Sequence, residues 1–336
     1  MIFLVCPPCP PVSPHLITCP VPPSHTNMTP LAVSLVEEDC ETPTNYLSIV
    51  YNLPAGEKGK FAVCVKGMDF PLDDLSVRMV EWLEVLKALG ADKIFLYNLD
   101  VHPNVRKVLS DYSSRGEIEV IPISLPDHQP NLPWLQHLFI KSKLIHKRQN
   151  EIVPYNDCLY RNMYRYEYIT LLDTDEVIVP TNHSNWSDLM KDLVRTTGNK
   201  TSWAFRNVYF FDDFLERNEG GHIPDIPPYL HMMQHVYRSS NHTPPGHYIK
   251  AFHDPQKVLT LHNHFPFSCL GGCKFHSVDT SLGQLQHYRP DCVSDLKKVC
   301  AEKYRNISVR DTSIWSVRDT VVPRASNVLQ ILGFIQ

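Results

Sequence analysis

Hydrophobic and polar positions fall into register from Phe61 onward. "FAVCVKG" is an apolar run ending at Gly67, the pattern of a strand covered on both faces. "DDLSVRMVEWLEVLKALG" opens on aspartates suited to a helix start and closes on Gly90. Within it Met79, Trp82, Leu83, Leu86 and Leu89 recur along one face at helical spacing and read as core. "KIFLYNL" at 93–99 predicts a second strand, "HPNVRKVLSDYSSRG" a second helix and "EIEVIPISL" a third strand. A longer helical stretch runs from Trp134 to about Tyr164, broken at Pro154, and "YITLLDTDEVIVP" is the fourth strand. This alternation predicts βαβ crossovers and a mostly parallel sheet, in which ligands bind at the carboxyl ends of the strands.

Beyond Pro180 the periodicity loosens. "WSDLMKDLV" reads as a helix and "TSWAFRNVYF" as a strand, and residues 220–290 are rich in His, Pro and aromatic side chains, as acceptor-binding loops on a rigid sheet would be. Residues 1–40 carry no Lys, Arg, Asp or Glu before Glu37, but nine prolines interrupt them, so they read as a Pro-rich disordered segment or an incomplete start. They hold neither a spanning helix nor a typical signal peptide. The expected division is residues 1–40, a linker at 41–60, a main domain at 61–310 split near 180, and a helical tail at 311–336.

Net charge is −4 over 336 residues, which argues against a nucleic-acid binder. Ten cysteines suit either a disulfide-forming compartment or a cytosolic chain with metal or redox sites. Asn27, Asn182, Asn185, Asn199, Asn241 and Asn306 each open an Asn-x-Ser/Thr sequon. Together they favour a lumenal or extracellular compartment.

The chemistry concentrates at "DTDE". On a strand, residues two apart share a face, so Asp173 and Asp175 are expected to project together with Thr174 turned away. Two adjacent carboxylates repel unless a cation lies between them, and a hard divalent ion with oxygen ligands resolves the conflict. Such an ion neutralises the diphosphate leaving group of a nucleotide sugar.

The succession "FAVCVKG", "MVEWLEVLKALGADKIFLYN", "YNDCLYRN", "YITLLDTDEVIVP" and "LQHYRPDC" resembles glycosyltransferase family 92. The likeness runs from about Phe61 to about Tyr304. It implies an α/β fold of GT-A type and a metal-dependent inverting transfer, with Mn2+ as the expected ion. It further implies UDP-galactose as donor, a glycan or glycoprotein acceptor such as fucose on N-glycans, and a Golgi membrane setting, for which this stretch shows no anchor.

Within that frame Asp173 and Asp175 are the expected metal and nucleotide contacts, Asp175 the more direct. Glu176 is expected on the opposite face, paired with a basic group. Lys66, Gly67, Tyr97 and Asn98, at the ends of the first two strands, fall where a uridine would lie, though Tyr97 equally suits packing on the sheet. Asn156, Asp157 and Arg161 of "YNDCLYRN" fit either a nucleotide-holding role or, for Asp157 and Arg161, an ion pair four residues apart. His287, in the "HYR" element, is the first choice for a histidine at the metal, with His262, His264 and His276 as other candidates and Arg289 as a phosphate contact. For the general base, Asp212, Asp213, Glu216 and Asp254 are available, Asp213 first.

Other readings compete. "LHNHFPFSCLGGCKFH" invites a zinc site, although Cys269 and Cys273 suit a disulfide equally. A catalytically silent glycan binder on a transferase scaffold, or a cytosolic metal-dependent hydrolase, would also use such a sheet.

Overall fold

The computed structural model describes residues 2–4, 13–53, 56–126, 128–217, 222–292 and 297–336. Cys6 and Cys9 lie outside them. The elements used below are β1 (Gly59–Phe70), α1 (Ser76–Leu89), β2 (Lys93–Val101), α2 (Pro103–Ser114), β3 (Ile118–Pro122), α3 (Pro133–Ser142) and α4 (Leu144–Asn162). They continue with β4 (Tyr166–Leu171), β5 (Glu176–Pro180), α5 (Trp186–Thr197), β6 (Ser202–Phe205), β7 (Asn207–Phe211), α6 (His231–Gln234) and β8 (Lys250–His253). Last come β9 (Phe275–Ser277), β10 (Gly283–Arg289), α7 (Lys297–Lys303) and α8 (Arg318–Ile331).

A seven-stranded sheet runs in the order β9-β6-β8-β4-β1-β2-β3. The strands β4, β1, β2 and β3 are mutually parallel, as the βαβ pattern predicts, while β8 is antiparallel to β4 and β6. Both faces are buried. Phe61, Val63 and Val65 of β1 point into a core shared with α1, α5 and α8, whereas Ala62 and Cys64 point to the opposite side against Tyr155, Cys158 and Leu159 of α4. This period-2 split of a continuous apolar run is what a doubly covered strand requires. The Cys64–Cys158 disulfide ties β1 to α4, and Cys269–Cys273 and Cys292–Cys300 are the other described pairs. The pairing of Cys269 with Cys273 removes both as zinc ligands.

Two boundaries differ from the sequence reading. Pro154 lies inside α4 and does not end it; the chain breaks at Lys143, between α3 and α4. Anchoring of Tyr155, Cys158 and Leu159 in the core holds the helix together across the proline. "YITLLDTDEVIVP" is two strands, not one: β4 belongs to the large sheet, and β5 to a second sheet ordered β7-β10-β5. "TSWAFRNVYF" divides the same way into β6 and β7. The indole N–H groups of Trp82 and Trp186 donate to the carbonyls of Glu176 and Ile178, fastening β5 to α1 and α5. No helix among the described residues is long and apolar enough to cross a membrane.

Candidate active site

Because β4 and β5 belong to different sheets, "DTDE" is the corner between them. Thr174 and Asp175 form a turn, closed by the Glu176 N–H on the Asp173 carbonyl (3.0 Å), and the Glu176 carboxylate accepts the Asp173 N–H (3.1 Å). The expectation that Asp173 and Asp175 share a strand face is therefore corrected: a turn aims them apart. Asp173 lies between two lysines, Oδ1 at 3.1 Å from Lys66 Nζ and Oδ2 at 3.3 Å from Lys250 Nζ. Asp175 meets His287, Oδ2 to Nε2 at 3.1 Å.

Lys66 reaches Asp173 because β1 breaks register between Val65 and Met68, a bulge beside Gly67. A Cβ on Gly67 would come within 3.0 Å of both Ile123 and Leu99 side chains, so the backbone approaches closely there. Lys250 stands on β8, 1% exposed, and also contacts Glu176 Oε2 at 3.2 Å and Asn263 Oδ1 at 2.5 Å. Glu176 thus pairs with a basic group, as expected, and its other oxygen lies 3.5 Å from His287 Nδ1.

The electrostatics follow from these contacts. Burial opposes ionisation of Asp173, but Lys250 and Lys66 outweigh it and hold its carboxyl well below the usual range. Burial likewise opposes the charge on Asp175, and His287 overcomes it. For Glu176 burial prevails over Lys250 and raises its pKa, while His287, despite burial, is raised by Asp175 and Glu176.

These groups open onto a cavity of about 1350 Å³ at the carboxyl ends of β1 and β4. Lys66, Gly67, Asp173, Asp175, His287 and Arg289 all line it, as do His262 and His264. Lys147, Arg148 and Glu151 of α4 add charge to one wall, with Glu151 Oε1 at 3.1 Å from Lys66. On another wall stand Tyr209, Tyr248 and Tyr304.

The remaining candidates lie off the lining. Tyr97, 1% exposed, donates its hydroxyl to Asp157 Oδ2 (2.6 Å), and Arg161 Nε donates to the same oxygen (2.6 Å), so the three brace β2 against α4. Asn98 is partly buried on the same strand. Asn156 holds the Leu261 backbone, accepting its N–H at 2.8 Å and donating to its carbonyl at 2.9 Å. His276 sits on β9. Asp213 pairs with Arg305 (2.8 Å), Asp254 with Lys257 (2.7 Å), and Asp212 with His231 (3.1 Å) and Arg78 (3.6 Å). Asp212, Asp213 and Asp254 belong to no wall of the cavity, and the Glu216 side chain lies outside the described residues.

Lys250 and Glu151 escaped the sequence reading. A lysine inside the apolar "YIKAF" was a usable signal, since a buried lysine in a strand needs a carboxylate partner.

The donor set fits a divalent ion at one place. Asp175 and His287 offer an oxygen and a ring nitrogen toward the same point, and a Glu176 oxygen lies 3.5 Å behind Nδ1. Asp173 has both oxygens facing lysines, Lys66 and Lys250, in this arrangement.

The family model for glycosyltransferase family 92 matches residues 59–323. No curated protein matches the chain. Among solved structures, S. aureus TarS overlaps at 9% identity and a TM-score of 0.27, covering 46% of this chain and 22% of that one. The bifunctional glycosyltransferase WbbM in its apo structure overlaps at 10% identity and 0.29, covering 64% of this chain and 34% of that one. The chain thus spans about a quarter to a third of the solved chains it overlaps, and likenesses this weak bear no mechanistic argument. From the match over residues 59–323, the chain belongs to glycosyltransferase family 92, with a mixed α/β fold of GT-A type.

Proposed function

We propose that the chain is a metal-dependent, inverting glycosyltransferase that moves galactose from UDP-galactose to a glycan, with fucose of N-glycans the first acceptor to test. The observation that carries this reading is the Asp175–His287 pair on the wall of a cavity whose basic lining includes Lys66, Lys147, Arg148 and Arg289. A divalent ion such as Mn2+, held by Asp175 and His287, supplies Lewis-acid neutralisation of the diphosphate leaving group.

The chain's own groups do the rest. Lys66 and Lys250 fix Asp173 and so the turn that carries Asp175, while the Glu176 charge lies close behind the His287 ring. Arg289, Lys147 and Arg148 present positive charge to phosphate oxygens. Tyr248 and Tyr304 offer aromatic surface to sugar rings on the acceptor side, backed by the buried Tyr209.

The lumen of the secretory pathway, in a Golgi setting, is the proposed location. Three disulfides support it, as do the exposed sequon asparagines Asn27, Asn182, Asn199, Asn241 and Asn306; Asn185 instead caps α5 through the Asp188 N–H.

The test is release of UDP from a panel of UDP-sugars, with and without fucosylated glycans and Mn2+, by wild type and Asp175→Asn. Acceptor-dependent turnover of UDP-galactose by wild type alone is the expected result. Equal turnover by the two proteins sinks the reading, and glycan binding without donor consumption would identify a silent binder.

A further inference from the structure

Outside the cavity, one cluster of metal-ligating side chains remains unexplained. His231 opens α6 and His235 follows its last residue, so the two are one helical turn apart on the same side. Asp212 begins the 3-10 turn Asp212–Arg217 that follows β7. Its Oδ1 lies 3.1 Å from His231 Nε2, and one ligand atom from each of the three residues falls within 4.8 Å of the others. Its second oxygen faces Arg78, which leaves Oδ1 to the cluster.

A simple Asp–His hydrogen bond accounts for two of these residues and not for the third. His235 is 0% exposed, packed edge-on to Phe210 and Tyr288. The Phe211 and Tyr237 backbones approach its ring, yet neither ring nitrogen completes a hydrogen bond. A buried imidazole with both nitrogens unpartnered is rare and calls for a ligand. Glu81, also 0% exposed, accepts the Met232 and Met233 N–H groups at 3.0 Å each and so sets the helix that carries both histidines.

We propose that Asp212, His231 and His235 form a second metal site, for a transition-metal ion of the zinc class, clamping the turn after β7 to α6. Two imidazoles and one carboxylate make a zinc-type donor set, with the fourth position open to water, since no fourth protein donor joins the cluster among the described residues. It is separate from the Asp175–His287 pair. Tyr288 stands between them, its N–H on the Asp175 carbonyl (2.9 Å) and its ring edge-on to both His231 and His235.

The experiment titrates Zn2+ into the EDTA-treated whole chain carrying Asp175→Asn, followed by calorimetry and thermal unfolding, so that the cavity pair does not contribute. One saturable Zn2+ per chain is expected, with a rise in Tm of about 5 °C and a smaller one from Mn2+. His231→Gln and Asp212→Asn, both at partly exposed positions, should each weaken binding about tenfold or more while the metal-free Tm stays near that of the parent. His235→Phe fills the buried space and should abolish binding in a folded chain. Absence of saturable binding, or an affinity unchanged by all three substitutions, overturns the proposal.

Discussion

His287 Nε2 stands 3.1 Å from Asp175 Oδ2 across a sequence separation of 112 residues, and the two meet because β10 pairs antiparallel with β5 so that His287 faces Glu176 in register. A strand pairing, and no local motif, therefore completes the candidate metal pair. Asp175→Asn keeps the shape of the side chain and removes its charge. Cooperative thermal stabilisation by Mn2+ and UDP together is expected in wild type and lost in the variant, with transfer reduced by a factor of about 100 or more. Because the Asp175 side chain is 46% exposed, the Tm without ligands should change little, and differential scanning fluorimetry checks both halves.

Lys250 is the counter-charge for Asp173 and Glu176 together. Lys250→Met leaves the buried Glu176 without its counter-charge and the partly buried Asp173 with Lys66 alone, and should cost about 3–5 kcal/mol in urea unfolding. Lys66→Met, at a side chain 25% exposed, should cost less stability and raise the donor KM more. Equal stability losses in the two variants would contradict this division of roles.

His253 accepts or donates one hydrogen bond with Ser202 Oγ (2.8 Å) in the core, and burial, with the Lys250 charge adding to it, lowers its pKa to about 3. Between that value and the ordinary value of 6.5, the unfolded chain binds a proton that the folded chain refuses. Its contribution to stability is therefore lost as pH falls below 6.5, by at most about 1.4 kcal/mol per pH unit. His253→Gln should flatten the acid side of the Tm–pH curve, and a curve parallel to wild type would refute the assignment.

Tyr97 discriminates a nucleotide contact from a brace. If its hydroxyl serves Asp157 and Arg161, Tyr97→Phe should lower stability by about 1 kcal/mol and leave the donor KM unchanged. A large rise in KM at unchanged Tm would return Tyr97 to the nucleotide site.

The helices and strands from Gly59 to Pro122 were legible because each carries its own local pattern, whereas the short paired strands at Ala32–Val33 and Leu47–Ser48, in stretches read as disordered or linker, were not. A doubly covered strand such as "FAVCVKG" is a local pattern that tertiary context has no reason to override, whereas the helix Ser76–Leu89 buries Val80, Glu81, Glu84 and Val85 as well as the expected stripe. The same logic failed at "YITLLDTDEVIVP", where apolar residues on both sides of the turn hid a change of sheet.

Which residues carry charge to the edge of the core was readable in one dimension: the aspartates after β4, the lysine of β1, the histidine of "QHYRP". How those charges are shared was not. Tertiary structure alone decided that Asp173 belongs to Lys66 and Lys250 and Asp175 to His287, because partners 77 to 112 residues apart are chosen by strand register and a bulge. It also decided that Tyr97 on β2 reaches the Asp157–Arg161 pair of α4; the pair itself was readable from its four-residue spacing.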